Sequence, residues 1–287
     1  MQLQNTLNFM AKLLPHGCYP IVKQWFKRFV SVGIDTRKQL QHNALLHGRH
    51  NGDRCFILGN GPSAKKLDLK KLKNDWVISI SNGYFHNGFS SMLKKYHCLP
   101  QITYGKITTQ DVVKWFTEMH QNLGETTLFL NESEKEIVDK YELFVGRSVH
   151  YISLSENFEE LESREIIDIT RPIPRVMSAP IMALMIAMYM GFKEIIIIGV
   201  DHDEFRTGQY KYAFNIKAMN NKDQNVDSKG NTSSRNLDKF QTYYILFKQY
   251  RILNEIANKN NVRILNATPG GELDEFSKCE FNKLFES

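Results

Sequence analysis

Cysteine is scarce and poorly placed for either of its structural uses. The 4 cysteines, Cys18, Cys55, Cys98 and Cys279, never stand at C-x-x-C spacing, so neither a zinc site nor a disulfide framework is indicated. A reducing cytoplasm is therefore the expected compartment. Long apolar runs are missing as well. The longest, Ala179 to Met190, contains Pro180 and stops at Gly191. It falls short of the roughly 18–20 uncharged apolar residues of a membrane-crossing helix and reads as a buried one. No compact apolar core followed by a small-residue cleavage site opens the chain, so no signal peptide is expected. Acid is nearly absent from the first 50 residues. They carry seven basic residues (Lys12, Lys23, Lys27, Arg28, Arg37, Lys38, Arg49) against Asp35 alone, which leaves 30 basic and 30 acidic residues in the remainder. A neutral body argues against nucleic acid as the main partner, because a phosphate backbone needs a basic face on the folded part.

What is present divides at about residue 50. In residues 1–50, Leu7, Phe9, Met10, Leu13, Leu14, Ile21, Val22, Trp25, Phe26, Phe29 and Val30 are interleaved with basic residues, and Pro15 and Pro20 cut the pattern into short pieces. This basic amphipathic helical segment suits the headgroup region of an anionic membrane, which would place the protein peripherally on the cytoplasmic face of an inner membrane. It suits equally a helix packed across the main domain with its cations in water.

From residue 51 to 287 the pattern alternates. Short apolar runs at Cys55–Leu58, Trp76–Ile80, Thr126–Leu130, Val149–Leu154, Glu194–Val200 and Val262–Leu265 read as strands. Helical stretches are expected at Leu67–Leu72, Thr108–Leu123, Ser133–Phe144, Ala179–Met190 and Leu237–Asn258. The expectation is an α/β fold: a Rossmann-like, mostly parallel sheet with helices on both faces, forming one nucleotide-binding catalytic domain. A polar stretch within 203–236, richest at Asn220–Asn236, reads as a mobile lid.

Ligands of such sheets gather beyond the carboxyl ends of the strands. Three features fall there: Gly59-Asn60-Gly61-Pro62-Ser63, Ser81-Asn82, and Gly199-Val200-Asp201. The first is neither a Walker loop nor G-x-G-x-x-G. Its glycines allow a tight turn and close approach, and Pro62 and Ser63 suit the opening of a phosphate-attracting helix. An ordinary strand–helix junction capped by Ser63 has the same composition. Asn82 orients substrate or forms an Asx turn. Arg175 and Ser178 precede a helix, where Arg175 is either an anion clamp or a surface arginine. Asp201-His202-Asp203 superficially matches a D-x-D metal motif, although a ribose or base contact fits Asp201 better. Tyr210 and Tyr212 follow, as phenols for a departing phosphate or as packing aromatics.

These residues resemble bacterial lipooligosaccharide sialyltransferases and a related domain family of hydroxymethylpterin diphosphokinases and flagellin-glycosylation accessory proteins. The resemblance rests on Ile57–Ser63, Leu67-Asp68, Ser81-Asn82, Arg175–Ser178, Gly191–Ile195, Gly199–Asp201, Tyr212–Phe214 and Asn266–Gly271. It implies that Asn60, Gly61, Ser63 and Asp201 bind the CMP part of a CMP-sugar, with Asn82 beside the donor and Ser178 near its carboxylate. Tyr212 would stabilise the leaving phosphate. The implied reaction is an inverting, metal-independent transfer of sialic acid or a related nonulosonate to a cell-surface glycan or glycolipid, with no cofactor. Where the family has a histidine before its long C-terminal helix, this chain reads Asn231–Asp238 with none, leaving His202, Asp203 or Asp227 as base. The alternatives are a magnesium-dependent diphosphokinase or phosphotransferase, and an accessory protein that binds nucleotide without catalysis. Expected partners are the donor, the acceptor, the membrane surface met by residues 1–50, and a second copy of the chain in a homo-oligomer.

Overall fold

The computed structural model describes residues 34–102, 107–155, 157–207, 211–214 and 235–286. Residues 1–33, Tyr210, Asp227 and most of the expected lid lie outside the described residues.

Eight strands form one wholly parallel sheet. They are β1 (Arg54–Leu58), β2 (Trp76–Ile80), β3 (Lys94–Leu99), β4 (Thr127–Asn131), β5 (Val149–Ile152), β6 (Glu194–Ile198), β7 (Arg263–Asn266) and β8 (Ser277–Lys278), in the order β5-β4-β3-β2-β1-β6-β7-β8. The chain builds outward from β1 to one edge, then returns to the other side of β1 with β6. The direction of winding thus reverses between β1 and β6, which pair in register with Cys55 opposite Ile195 and Leu58 opposite Ile198. This is the α/β, Rossmann-like arrangement expected from the strand–helix alternation.

Both faces are covered, and the sequence shows why. β6 is Glu-Ile-Ile-Ile-Ile: Ile195 and Ile197 enter one core and Ile196 and Ile198 the other. Alternation by two sends neighbours to opposite faces, so a strand buried on both sides must be apolar throughout. On the first face lies α4 (Ala179–Tyr189), whose residues from Pro180 to Ala187 are all buried because it is sandwiched between β1–β3 and α6 (Asn236–Lys259). On the second face lies α2 (Thr109–Asn122), started by a capping box between Thr108 and Asp111 and held by Val112, Trp115, Phe116 and Met119. The short helices α1 (Ile34–Gln41), α3 (Lys135–Lys140) and α5 (Glu204–Thr207) complete the set. Residues 34–50, grouped by composition with the N-terminal segment, pack on the sheet: Leu40, Asn43 and Leu46 are buried, and Asn43 Nδ2 donates to the carbonyls of Tyr151 and Ile169 at 2.8 and 2.9 Å.

Three local expectations change. β3 reads polar at its start, Lys94-Lys95, and contains His97, so no strand was expected there; the buried His97 is accommodated by Ser79 Oγ at 2.7 Å and the Ser81 carbonyl at 2.9 Å. The expected helix Ser133–Phe144 ends at Lys140, because Glu142 and Phe144 take positive φ and swing the Phe144 ring onto Phe116. The expected helix Leu67–Leu72 gives way to an extended Leu67 and a 3₁₀ turn at Leu69–Asn74, which follows another 3₁₀ turn at Pro62–Lys66.

Candidate functional site

The carboxyl ends of β1, β2 and β6 bring the expected site segments together at the reversal point of the sheet. The exit from β1 lies directly on the exit from β6: Gly59 N–H donates to the Ile198 carbonyl and Gly61 N–H to the Gly199 carbonyl, both at 2.8 Å. No side chain fits between these backbones. A Cβ on Gly59 would lie 2.3 Å from the Gly199 carbonyl oxygen. At Gly61 it would lie 1.9 Å from Asp201 Oδ2. The glycines therefore permit close approach, as their type suggests, but what approaches is this chain.

Asp201 takes the place where a phosphate was expected. Its Oδ2 accepts hydrogen bonds from Ser63 Oγ at 2.8 Å and Ser63 N at 3.4 Å, at the start of the Pro62–Lys66 turn. Burial pushes the Asp201 carboxyl above its ordinary pKa, with the Ser63 bonds opposing. The backbone braces it from the far side: the Asp201 carbonyl accepts from Glu272 N at 2.7 Å, and Gly271, at φ 74°, lies close beneath it. The Asn266–Gly271 segment thus serves as a buttress, with Thr268 Oγ1 accepting from Val200 N at 3.3 Å.

Asn60 and Asn82 line the β1–β2 side. Both are buried; Asn60 Nδ2 donates to the Ile80 carbonyl at 3.1 Å, while Asn60 Oδ1 has no donor among the described residues. Asn82 starts the turn Gly83–Phe85 without an Asx bond, and its Oδ1 accepts from Tyr84 OH at 3.3 Å. The Asn60 carbonyl accepts from Ala213 N at 2.8 Å, which draws Tyr212 and Phe214 to the site. Phe214 stands edge-on to His86, whose Nε2 bonds the Gly59 carbonyl at 2.8 Å. Burial lowers the His86 pKa to about 4, against the pull of that carbonyl.

A second group flanks Asp201. His202, at φ 46°, shares a 2.8 Å hydrogen bond from Nε2 with Tyr250 OH, and Tyr250 OH shares one of 3.0 Å with Ser178 Oγ. On the other side, His202 Nδ1 lies 3.9 Å from Glu204 Oε1. Burial would push Glu204 up, but the histidine prevails and holds the carboxyl below its ordinary range. Burial pushes the Tyr250 phenol well up, so it stays protonated. The result is a hydrogen-bonded run, His202–Tyr250–Ser178, with the Glu204 carboxylate close enough to act on His202 by charge but beyond hydrogen-bond reach. Asp203 follows His202 at the start of α5, its carbonyl accepting from Arg206 N at 3.0 Å. Arg175 is exposed and its guanidinium lies over the Phe158 ring, 5.0 Å from the centroid.

Sequence reasoning missed Glu204, Gln249, Tyr250 and His86. Gln249 fixes the loop before α4 by accepting from Met177 N at 2.9 Å and donating to the Arg175 carbonyl at 2.6 Å. A glutamine beside a tyrosine on an otherwise apolar helix face was the one signal available. Among the described residues no cluster of three or more His, Cys, Asp and Glu side chains is arranged to hold a metal, and no helix is long and apolar enough to cross a membrane. Comparison with models of known protein families yields no match, and none of the curated proteins matches the chain.

Proposed function

We propose that this chain is a glycosyltransferase that moves an acidic sugar, sialic acid or a related nonulosonate, from a CMP-activated donor to a cell-surface glycan. The observation that carries this reading is Asn60 Oδ1, a buried acceptor with no donor among the described residues at the reversal point of a parallel sheet. Such orphans are rare, and this one suits the amino group of cytosine or a ribose hydroxyl. Asn82 and the segment Tyr212–Phe214 lie on the same side of the β1 turn. Because Asp201 Oδ2 is committed to Ser63, its role is to hold the turn, and any contact with the donor falls to Oδ1.

The step is an in-line displacement. The acceptor oxygen bonds to the anomeric carbon while the bond from that carbon to the CMP phosphate oxygen breaks. The electron pair leaves with CMP, and Tyr212 stabilises the phosphate. The acceptor proton passes to His202, directly or through Ser178 and Tyr250, and Glu204 stabilises the resulting imidazolium. His202 thereby fills the role of the histidine that the resembled enzymes carry before their last helix.

The test is a thermal-shift comparison of CMP, CTP, ATP and GTP, each with magnesium or with EDTA. A ligand at a hundredfold excess over its dissociation constant adds about 2.7 kcal/mol of apparent stability, which is readily seen. Stabilisation by CMP, indifferent to EDTA, is expected. Stabilisation by ATP or GTP only with magnesium would replace this reading by a phosphotransferase.

A further inference from the structure

The amino ends of the strands, on the edge opposite the site above, hold a second feature. The starts of β2, β3, β4 and β5 enclose a cleft of about 520 Å³ whose cations are Arg49, Lys94, Lys95 and Arg147. Glu125 is the one acid on its wall among the described residues. This is out of character for a body whose charges otherwise balance. Several cations elsewhere do face acids: Arg251 pairs with Glu275, Lys248 with Glu162, and Arg54 with Asp75. None of the four cleft cations forms an ion pair among the described residues.

Lys94, Lys95 and Arg147 are instead held by rings and backbone carbonyls, and only the pull of Glu125 on Arg147 offsets their charge. Arg147 donates to the backbone carbonyls of His120, Gly124 and Thr126, and its Nε is buried with no partner among the described residues. Lys95 sits over the Phe89 ring, 4.7 Å from the centroid, and Lys94 over Trp76 at 5.6 Å. Burial and the neighbouring Arg147 together lower the Lys95 pKa, the mark of positive charges crowded in a partly dry space. A concave wall of one sign focuses its field and concentrates counter-ions of the other.

We propose that this cleft is a binding site for a phosphate-bearing anion, gripped by Arg49, Lys94, Lys95 and Arg147 at the amino edge of the sheet. Its size fits a small phosphorylated molecule. The same chemistry is offered by an anionic lipid headgroup, and the rim bears on that choice, since Leu93 and Val145 stand 64% and 73% exposed there.

The experiment uses the full chain and the double variant Lys94→Gln/Lys95→Gln, with Arg49→Gln as a second variant in case the double one fails to fold. Arg147 is left intact because its carbonyl bonds hold the wall. Pyrophosphate binding is measured by calorimetry, and flotation is measured with vesicles of phosphatidylcholine alone or mixed with phosphatidylglycerol. The native chain is expected to bind pyrophosphate, and each lysine removed should weaken this about tenfold. If the source is lipid, flotation with phosphatidylglycerol falls in the lysine variant and in Leu93→Ser/Val145→Ser, while pyrophosphate binding is unmoved by the latter. If neither probe distinguishes the native chain from the lysine and arginine variants, the proposal is overturned.

Discussion

Gly61→Ala isolates the contact between the first turn and Asp201. The backbone does not demand glycine here, since Gly61 sits at φ −70° and ψ 158°, a conformation alanine adopts freely. The obstacle is spatial: the new methyl would lie 1.9 Å from Asp201 Oδ2 and 2.9 Å from the Gly199 carbonyl oxygen. The carboxylate has to leave, and its bonds to Ser63 go with it, at about 1.5–3 kcal/mol for a hydrogen bond to a charged group. Crowding against the Gly199 carbonyl adds roughly 1–3 kcal/mol. The variant should therefore lose about 2.5–6 kcal/mol. Asp201→Ala alone forfeits only the Ser63 bonds, about 1.5–3 kcal/mol. In the double variant those bonds are lost once and the obstacle is gone, so the total stays near 2.5–6 kcal/mol rather than reaching the sum. The assay is urea unfolding of all four proteins with the slope checked for constancy. Costs that add to within about 0.5 kcal/mol would refute the reasoning, because the methyl and the carboxylate would then not compete for one space.

Two further predictions rest on histidines. Burial lowers His86 and His150 to about 4 and His97 to about 3, so each is neutral in the fold and takes up its proton on unfolding once the pH drops below about 6.5. Stability is therefore full above that value and is lost on acidification toward about 4; near pH 5 the three sites together give a slope of about 4 kcal/mol per pH unit, and His86→Gln should remove about a third of it. Urea midpoints from pH 7 to 4.5 measure this, and parallel curves for the native chain and the variant would contradict it. His202→Ala should lower the transfer rate about 10²–10⁴-fold while CMP affinity by calorimetry holds, and unchanged turnover would remove His202 from the mechanism.

The fold was legible wherever tertiary context agrees with the local pattern. β1 and β6 announce themselves because a strand covered on both faces has no polar position to disguise it. β3 does not, because His97 behaves as a core residue only once Ser79, its register partner on β2, and the Ser81 carbonyl have taken its two nitrogens. That pairing is invisible until β2 and β3 lie side by side. The truncated helix at Lys140 is similar. Nothing local forbids a longer one, yet the last turn gives way so that Phe144 can fill the space under α2.

The site was legible in its strand ends and illegible in its partners, for one physical reason. All eight strands are parallel, so every strand exit falls on one edge, and the order of segments along the chain suffices to gather Gly59–Ser63, Ser81-Asn82 and Gly199–Asp201. Tyr250 reaches Ser178 and His202 from α6, across 72 and 48 residues of chain, and no periodicity encodes such a meeting. The glycine pattern was informative in a narrower sense than its appearance suggests. Gly59 and Gly61 state that something comes close, and the structure answers with the Gly199 backbone and the Asp201 carboxylate. A glycine-rich turn is thus equally the mark of a ligand cradle and of two strand exits packed together. Asn60 bears on the choice between them, because its Oδ1 is buried and nothing among the described residues donates to it. A ligand at this edge is proposed on the strength of that atom more than of the glycines beside it.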